Sequence, residues 1–161
     1  MVPVAPAESL SVETTGRGDP VVLIPGLFGS AYGFRKLVPL LVDAGYRTIV
    51  VEPLGVGASA RPEKANYSLT AQADRIAAVL DSLHVRNALV LAHSIAGSEA
   101  FRLTYRRPDL VGTVVDRGWA HRESDHPGVQ ARAPVRALDQ AVRRDAAHPA
   151  QDPRYAHRFV G

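Results

Sequence analysis

Cysteine is absent from the 161 residues, which removes disulfides, thiolate metal sites and cysteine nucleophiles together. No apolar stretch is long enough to span a bilayer, and the N-terminus lacks a basic start followed by an apolar block. A cytoplasmic protein with no membrane partner is therefore expected. A basic core is also missing, although the pI is 9.6. Residues 1–116 hold 11 basic and 11 acidic side chains, whereas residues 117–161 hold 8 arginines against 5 acids. The whole excess of +3 lies in the C-terminal segment, so no basic groove is implied and no specific nucleic-acid partner is expected. Nonspecific, salt-sensitive adhesion of the tail to polyanions is all that the arginines support.

What is present reads as one soluble domain, with 46% hydrophobic and 22% charged residues. Residues 1–9 read as an N-terminal arm, with Pro3 and Pro6 interrupting any pattern. Leu10, Val12 and Thr14 alternate with polar residues, as in an edge strand closed by the turn residues 16–20. Short segments at 21–24, 48–51, 88–91 and 111–115, apolar apart from Thr48, Gly112 and Thr113, read as buried strands of a parallel sheet. Helical spacing occupies roughly 32–44, stopped by Gly45, then 68–83 behind a Ser68 cap, then 95–107 ahead of Pro108. Strands alternating with helices predict an α/β fold, a mostly parallel sheet with helices on both faces. Function in such sheets gathers at the carboxyl ends of the strands.

The most informative stretch is Leu-Val-Leu-Ala-His-Ser-Ile-Ala-Gly at 89–97. An apolar run ends in Ser94 between small residues, Ala92 and Ala96, and a helical pattern follows at once. That layout suits a sharp strand-to-helix turn presenting a serine at its tip. An ordinary helix N-cap is the competing reading of Ser94. Two upstream loops add weight: Pro25-Gly26-Leu27-Phe28-Gly29-Ser30, and Glu52-Pro53-Leu54-Gly55-Val56-Gly57-Ala58-Ser59.

Together these three segments resemble the alpha/beta-hydrolase superfamily, specifically the N-terminal half of its single-domain members, over about residues 10–116. Pro25 stands where histidine is more usual, Glu52 departs from the family's aspartate, and the elbow carries alanines in place of glycines. The resemblance implies an incomplete alpha/beta-hydrolase fold and serine-dependent hydrolysis of a small-molecule ester, or less readily an amide. Ser94 is then the nucleophile, which sets the chain apart from the family's dehalogenases with their aspartate. The oxyanion hole is assigned to the N–H of Ile95 and to that of Leu27 or Phe28. No metal and no organic cofactor are implied, and the sequence says nothing of oligomeric state.

The remaining triad members are harder to place. Asp116 ends the last recognisable strand, where a minority of the superfamily holds the acid; a polar residue closing a strand is the plainer explanation. His93 adjoins Ser94 but neighbours on a sharp elbow point different ways, and His84 suits a solvated helix end. His121, His126, His148 and His157 match no compact metal spacing. Residues 117–161 carry 8 Arg, 4 His, 4 Pro and 9 Ala but only 8 large apolar residues. Such a composition is what GC-rich DNA yields out of frame. Shifting one nucleotide over 116–124 permits Thr-Glu-Gly-Gly-Pro-Thr-Glu-Ser, an ordinary-looking continuation. The chain is thus expected to be truncated or frameshifted after about residue 116, with a weakly structured or out-of-frame tail and an incomplete triad. The alternative function is a non-catalytic hydrolase-like fragment or interaction module.

Overall fold

The computed structural model describes residues 1–117. The expected tail and its four histidines lie outside the described residues. Among the described residues six strands form one sheet: β1 (Val2–Ala5), β2 (Glu8–Thr15), β3 (Pro20–Ile24), β4 (Arg47–Glu52), β5 (Ala88–His93) and β6 (Val111–Arg117). Their spatial order is β1-β2-β4-β3-β5-β6. The first two strands run antiparallel, and β4, β3, β5 and β6 are mutually parallel.

The apolar runs form central strands because both of their faces are covered. Val22, Ile24, Ile49, Val51, Val90 and Ala92 point into one core with α2 (Leu69–Ser82) and α3 (Ala96–Arg106). Their alternates Val21, Leu23, Val50, Leu89 and Leu91 pack on the opposite face against α1 (Leu37–Asp43). This period-two division of each run is the direct consequence of strand geometry. The mostly parallel sheet with helices on both faces is as the sequence predicts.

Two boundaries differ from the sequence reading. Val2–Ala5 is not an arm but the edge strand β1, pairing Val2 with Leu10 and Pro3 with Ser9, so β2 lies one strand inside the edge. Proline is tolerated there because an edge strand needs its ladder hydrogen bonds on one side only. The hairpin is fastened by Arg75 of α2, which donates two hydrogen bonds to the Glu8 carboxylate at 2.7 and 2.8 Å. That guanidinium holds Glu8 below the usual carboxylate range. The expected helix over 32–44 is also split, into a 3₁₀ turn at Ala31–Phe34 and α1. Pro39 explains the break: in a continuous helix it would lack the N–H for the residue 35 carbonyl and clash with it, whereas in the first turn of α1 it costs nothing.

Helix ends follow their chemistry. Ser68 Oγ accepts the Ala71 N–H at 3.2 Å, capping α2. At its other end, His84 takes the left-handed conformation, with His84 N–H on Asp81 O and Val85 N–H on Leu80 O. His84 is exposed, at a helix end as the sequence suggested. Among the described residues no helix is long and apolar enough to cross a membrane.

Candidate active site

The strand order creates a switch point. The connection from β3 leads outward to β4, and the connection from β4 through α2 crosses back over β3 to β5. The loops leaving the carboxyl ends of β3 and β5 therefore diverge, leaving a crevice above two adjacent strands. Ile24 and Ala92 are register partners in those strands. This level pairing brings the 25–30 loop beside Ser94.

Ser94 has φ +59°, a left-handed conformation that costs a non-glycine residue about 1–2 kcal/mol. The helix that follows starts at Ala96, its cap residue is Ile95, and no side chain caps it. A serine N-cap is extended and bonds the first-turn amides, so the geometry excludes that role for Ser94. Its flanking residues Ala92 and Ala96 are both fully buried, and this packing explains why only small side chains suit the two positions.

Gly26 lets the neighbouring loop close on the turn. A Cβ there would lie 3.1 Å from Ser94 Cβ, 3.0 Å from His93 O and 3.2 Å from His93 Nδ1. The loop is pinned by Gly29 N–H donating to Gly26 O at 2.8 Å. No hydrogen bond within the described residues engages the N–H of Leu27, Phe28 or Ile95. These three expected oxyanion donors and Ser94 are thus brought to one end of the sheet. The Leu27 and Phe28 side chains are exposed, Phe28 fully.

Glu52, the departure from aspartate, braces the loops from behind. Its Oε1 accepts the Ala31 N–H at 2.6 Å and its Oε2 the Ala58 N–H at 2.7 Å. The carboxylate thereby ties the loop after β3 to the loop after β4. Gly57, at φ +54°, is required beside it, since a Cβ would fall 2.2 Å from the Glu52 carboxyl carbon. Ser59 extends the brace: its hydroxyl donates to Glu52 O and accepts the Ser11 N–H.

Asp116 pairs with Ala92 across β5 and β6, and its carboxylate lies over the first turn of α3. A Cβ on Gly97 would be 2.7–2.8 Å from the carboxyl atoms. An anion in this place is favoured by the helix N-terminus. His93 is exposed, and no hydrogen bond among the described residues joins it to the Ser94 hydroxyl.

One residue escaped the sequence reading. Glu99 lies on the buried stripe of α3 with Ala96, Ala100 and Leu103, only 5% exposed. Its Oε2 has no hydrogen-bond partner among the described residues, and burial pushes its pKa up to about 7. Glu99 lines a cavity of about 340 Å³ together with Pro25, Leu27, Tyr67 and Ile95. The available signal was a charged residue at an apolar helical position.

The chain matches the alpha/beta hydrolase fold family over residues 19–154 and belongs to that family. The match runs past residue 116, where the resemblance by motif ends. Its curated relatives include several hydrolases. The chain is 32% identical over 102 residues to a putative carbamate hydrolase, RutD, of Pantoea ananatis, covering 63% of this chain and 37% of that protein. It is 31% identical over 115 residues to a 2-hydroxy-6-oxononadienedioate/2-hydroxy-6-oxononatrienedioate hydrolase of a Pseudomonas species, covering 68% and 40%. Similar solved structures include an acetate-complexed mutant of the meta-cleavage product hydrolase from Pseudomonas fluorescens, with TM-score 0.66 and 29% identity over 74% of this chain and 46% of that one. An esterase from Exiguobacterium antarcticum gives TM-score 0.66 and 26% identity over 86% and 53%. The chain spans about 40% of the length of these curated relatives.

Proposed function

We propose that the chemistry of this chain is hydrolysis of a small-molecule ester, and less readily an amide, with Ser94 as the nucleophile. The observation that carries the reading is the left-handed backbone of Ser94 at the carboxyl end of β5, which lifts its hydroxyl out of both strand and helix. Strain of this kind persists where surrounding structure enforces it, and it clusters at reactive positions. Ser94 Oγ attacks the acyl carbon, and its proton passes to a general base. The resulting oxyanion is received by the N–H of Ile95 and that of Leu27 or Phe28. Collapse expels the alcohol, and water then releases the acid from the acyl-serine. The scheme calls on no metal ion and no organic cofactor. Asp116 is the candidate acid, and among the described residues no histidine hydrogen-bonds the Ser94 hydroxyl.

The test is labelling by a serine-directed fluorophosphonate, with the modified residue located by mass spectrometry. Label on Ser94 that disappears in Ser94→Ala is expected. Absence of label on protein with native circular dichroism refutes the nucleophile assignment and favours a non-catalytic module.

A further inference from the structure

We propose that Glu99 is a substrate-binding residue of this site, and that it receives a hydroxyl group carried by the substrate in the cavity beside Ile95. The inference rests on the placement of the reaction proposed above. The cavity is otherwise apolar where Pro25, Leu27 and Ile95 line it. Its other polar side chains are engaged: Gln72 donates to Leu54 O and accepts Leu54 N–H, Tyr67 donates to Pro62 O, and Arg61 donates to Gly57 O. Among the described residues of that lining, Glu99 alone presents a buried oxygen with no described partner.

A buried polar atom without a partner is costly in the free protein and is the feature by which a site rejects ligands that cannot satisfy it. The class of ligand follows from the surroundings. A cation is disfavoured because Arg61 lines the same cavity. A hydroxyl both donates and accepts, so it pairs with the carboxyl group in either protonation state. With the carbonyl of a bound ester directed at the Ile95 N–H, Glu99, one helical turn further along α3, addresses a hydroxyl elsewhere on the same molecule.

The experiment compares p-nitrophenyl hexanoate with its 3-hydroxy and 6-hydroxy derivatives, read as kcat/KM ratios. A second arm needs no turnover: ligand-observed NMR titration of Ser94→Ala protein with methyl hexanoate and the two corresponding hydroxy esters. The wild type is expected to favour at least one hydroxy ester by about tenfold or more. The preference is retained in Glu99→Gln, which keeps a donor and an acceptor, and lost in Glu99→Leu, which keeps the bulk alone. Circular dichroism establishes that both variants fold. No preference in binding for either hydroxy ester overturns the proposal, with or without a folded Glu99→Leu. A preference that survives Glu99→Leu also overturns it. Hydroxyl-selective binding with no fluorophosphonate label on Ser94 would sink the serine reading and leave this one standing.

Discussion

The buried carboxyl of Glu99 makes a quantitative demand on stability. Its pKa in the fold is about 7 against an ordinary value of 4.5, and the cause is burial. Burial disfavours the charged form, so the folded chain holds this proton to higher pH than the unfolded chain does. Stability from the group is therefore fully present below pH 4.5 and is lost as pH rises toward 7, with no further loss above that. At about 1.36 kcal/mol per pH unit, the interval amounts to about 3 kcal/mol. Glu99→Gln keeps the shape and cannot ionise. Denaturant unfolding of both proteins from pH 4 to pH 9 isolates the effect, because every other titrating group is common to the pair and cancels in their difference. The two should be nearly equal in stability at pH 4. The variant should gain progressively until it leads by about 3 kcal/mol at pH 8. A difference that stays flat across the range, or that grows toward acid, refutes the argument that Glu99 is buried without compensation.

The strain at Ser94 gives a second test. Glycine accepts φ +59° freely, so Ser94→Gly should be more stable than Ser94→Ala by about 1 kcal/mol in thermal or denaturant unfolding; equal stabilities would mean that the turn is not left-handed. Gly97→Ala places a methyl carbon 2.7 Å from the Asp116 carboxyl and should cost about 1–3 kcal/mol. Much of that cost should vanish in the Asp116→Ala background, and strictly additive losses in the double-mutant cycle would deny the contact. Glu52→Gln turns one acceptor into a donor facing the Ala31 or Ala58 N–H, and should destabilise by about 1–3 kcal/mol. It should also slow phosphonate labelling of Ser94, and unchanged labelling would show that the brace does not position the loop after β3.

The parts of this fold legible in the sequence are those fixed by local pattern. The runs at 21–24, 49–51 and 88–91 are apolar at every position because each face meets its own helical layer, and that is visible without coordinates. The placement of Ser94 between a strand and a helix was equally visible, as were the small residues beside it. What stayed hidden depended on neighbours distant in sequence. Pro3 marks a broken pattern in isolation, yet the ladder to Ser9 needs no N–H from the open side of an edge strand. Pro39 is masked by an otherwise helical spacing, although one missing donor is enough to move the start of α1 to Leu37.

Glu52 and Glu99 show the same limit from two sides. Both are acidic residues at buried positions, and composition alone cannot separate them. Glu52 accepts two backbone N–H groups from loops 21 and 6 residues away, so its burial is compensated and its role is to hold those loops in place. Glu99 receives no such compensation at Oε2 from the described residues, and it faces a cavity in place of a loop. A buried acid whose partners are supplied by the fold is part of the scaffold. One whose partner is missing from the fold leaves a hydrogen-bonding position for something that arrives from outside. The two substitutions to glutamine should therefore act in opposite directions at pH 8, destabilising at position 52 and stabilising at position 99. A shared sign would mean that the distinction between brace and binding group has been drawn at the wrong residues.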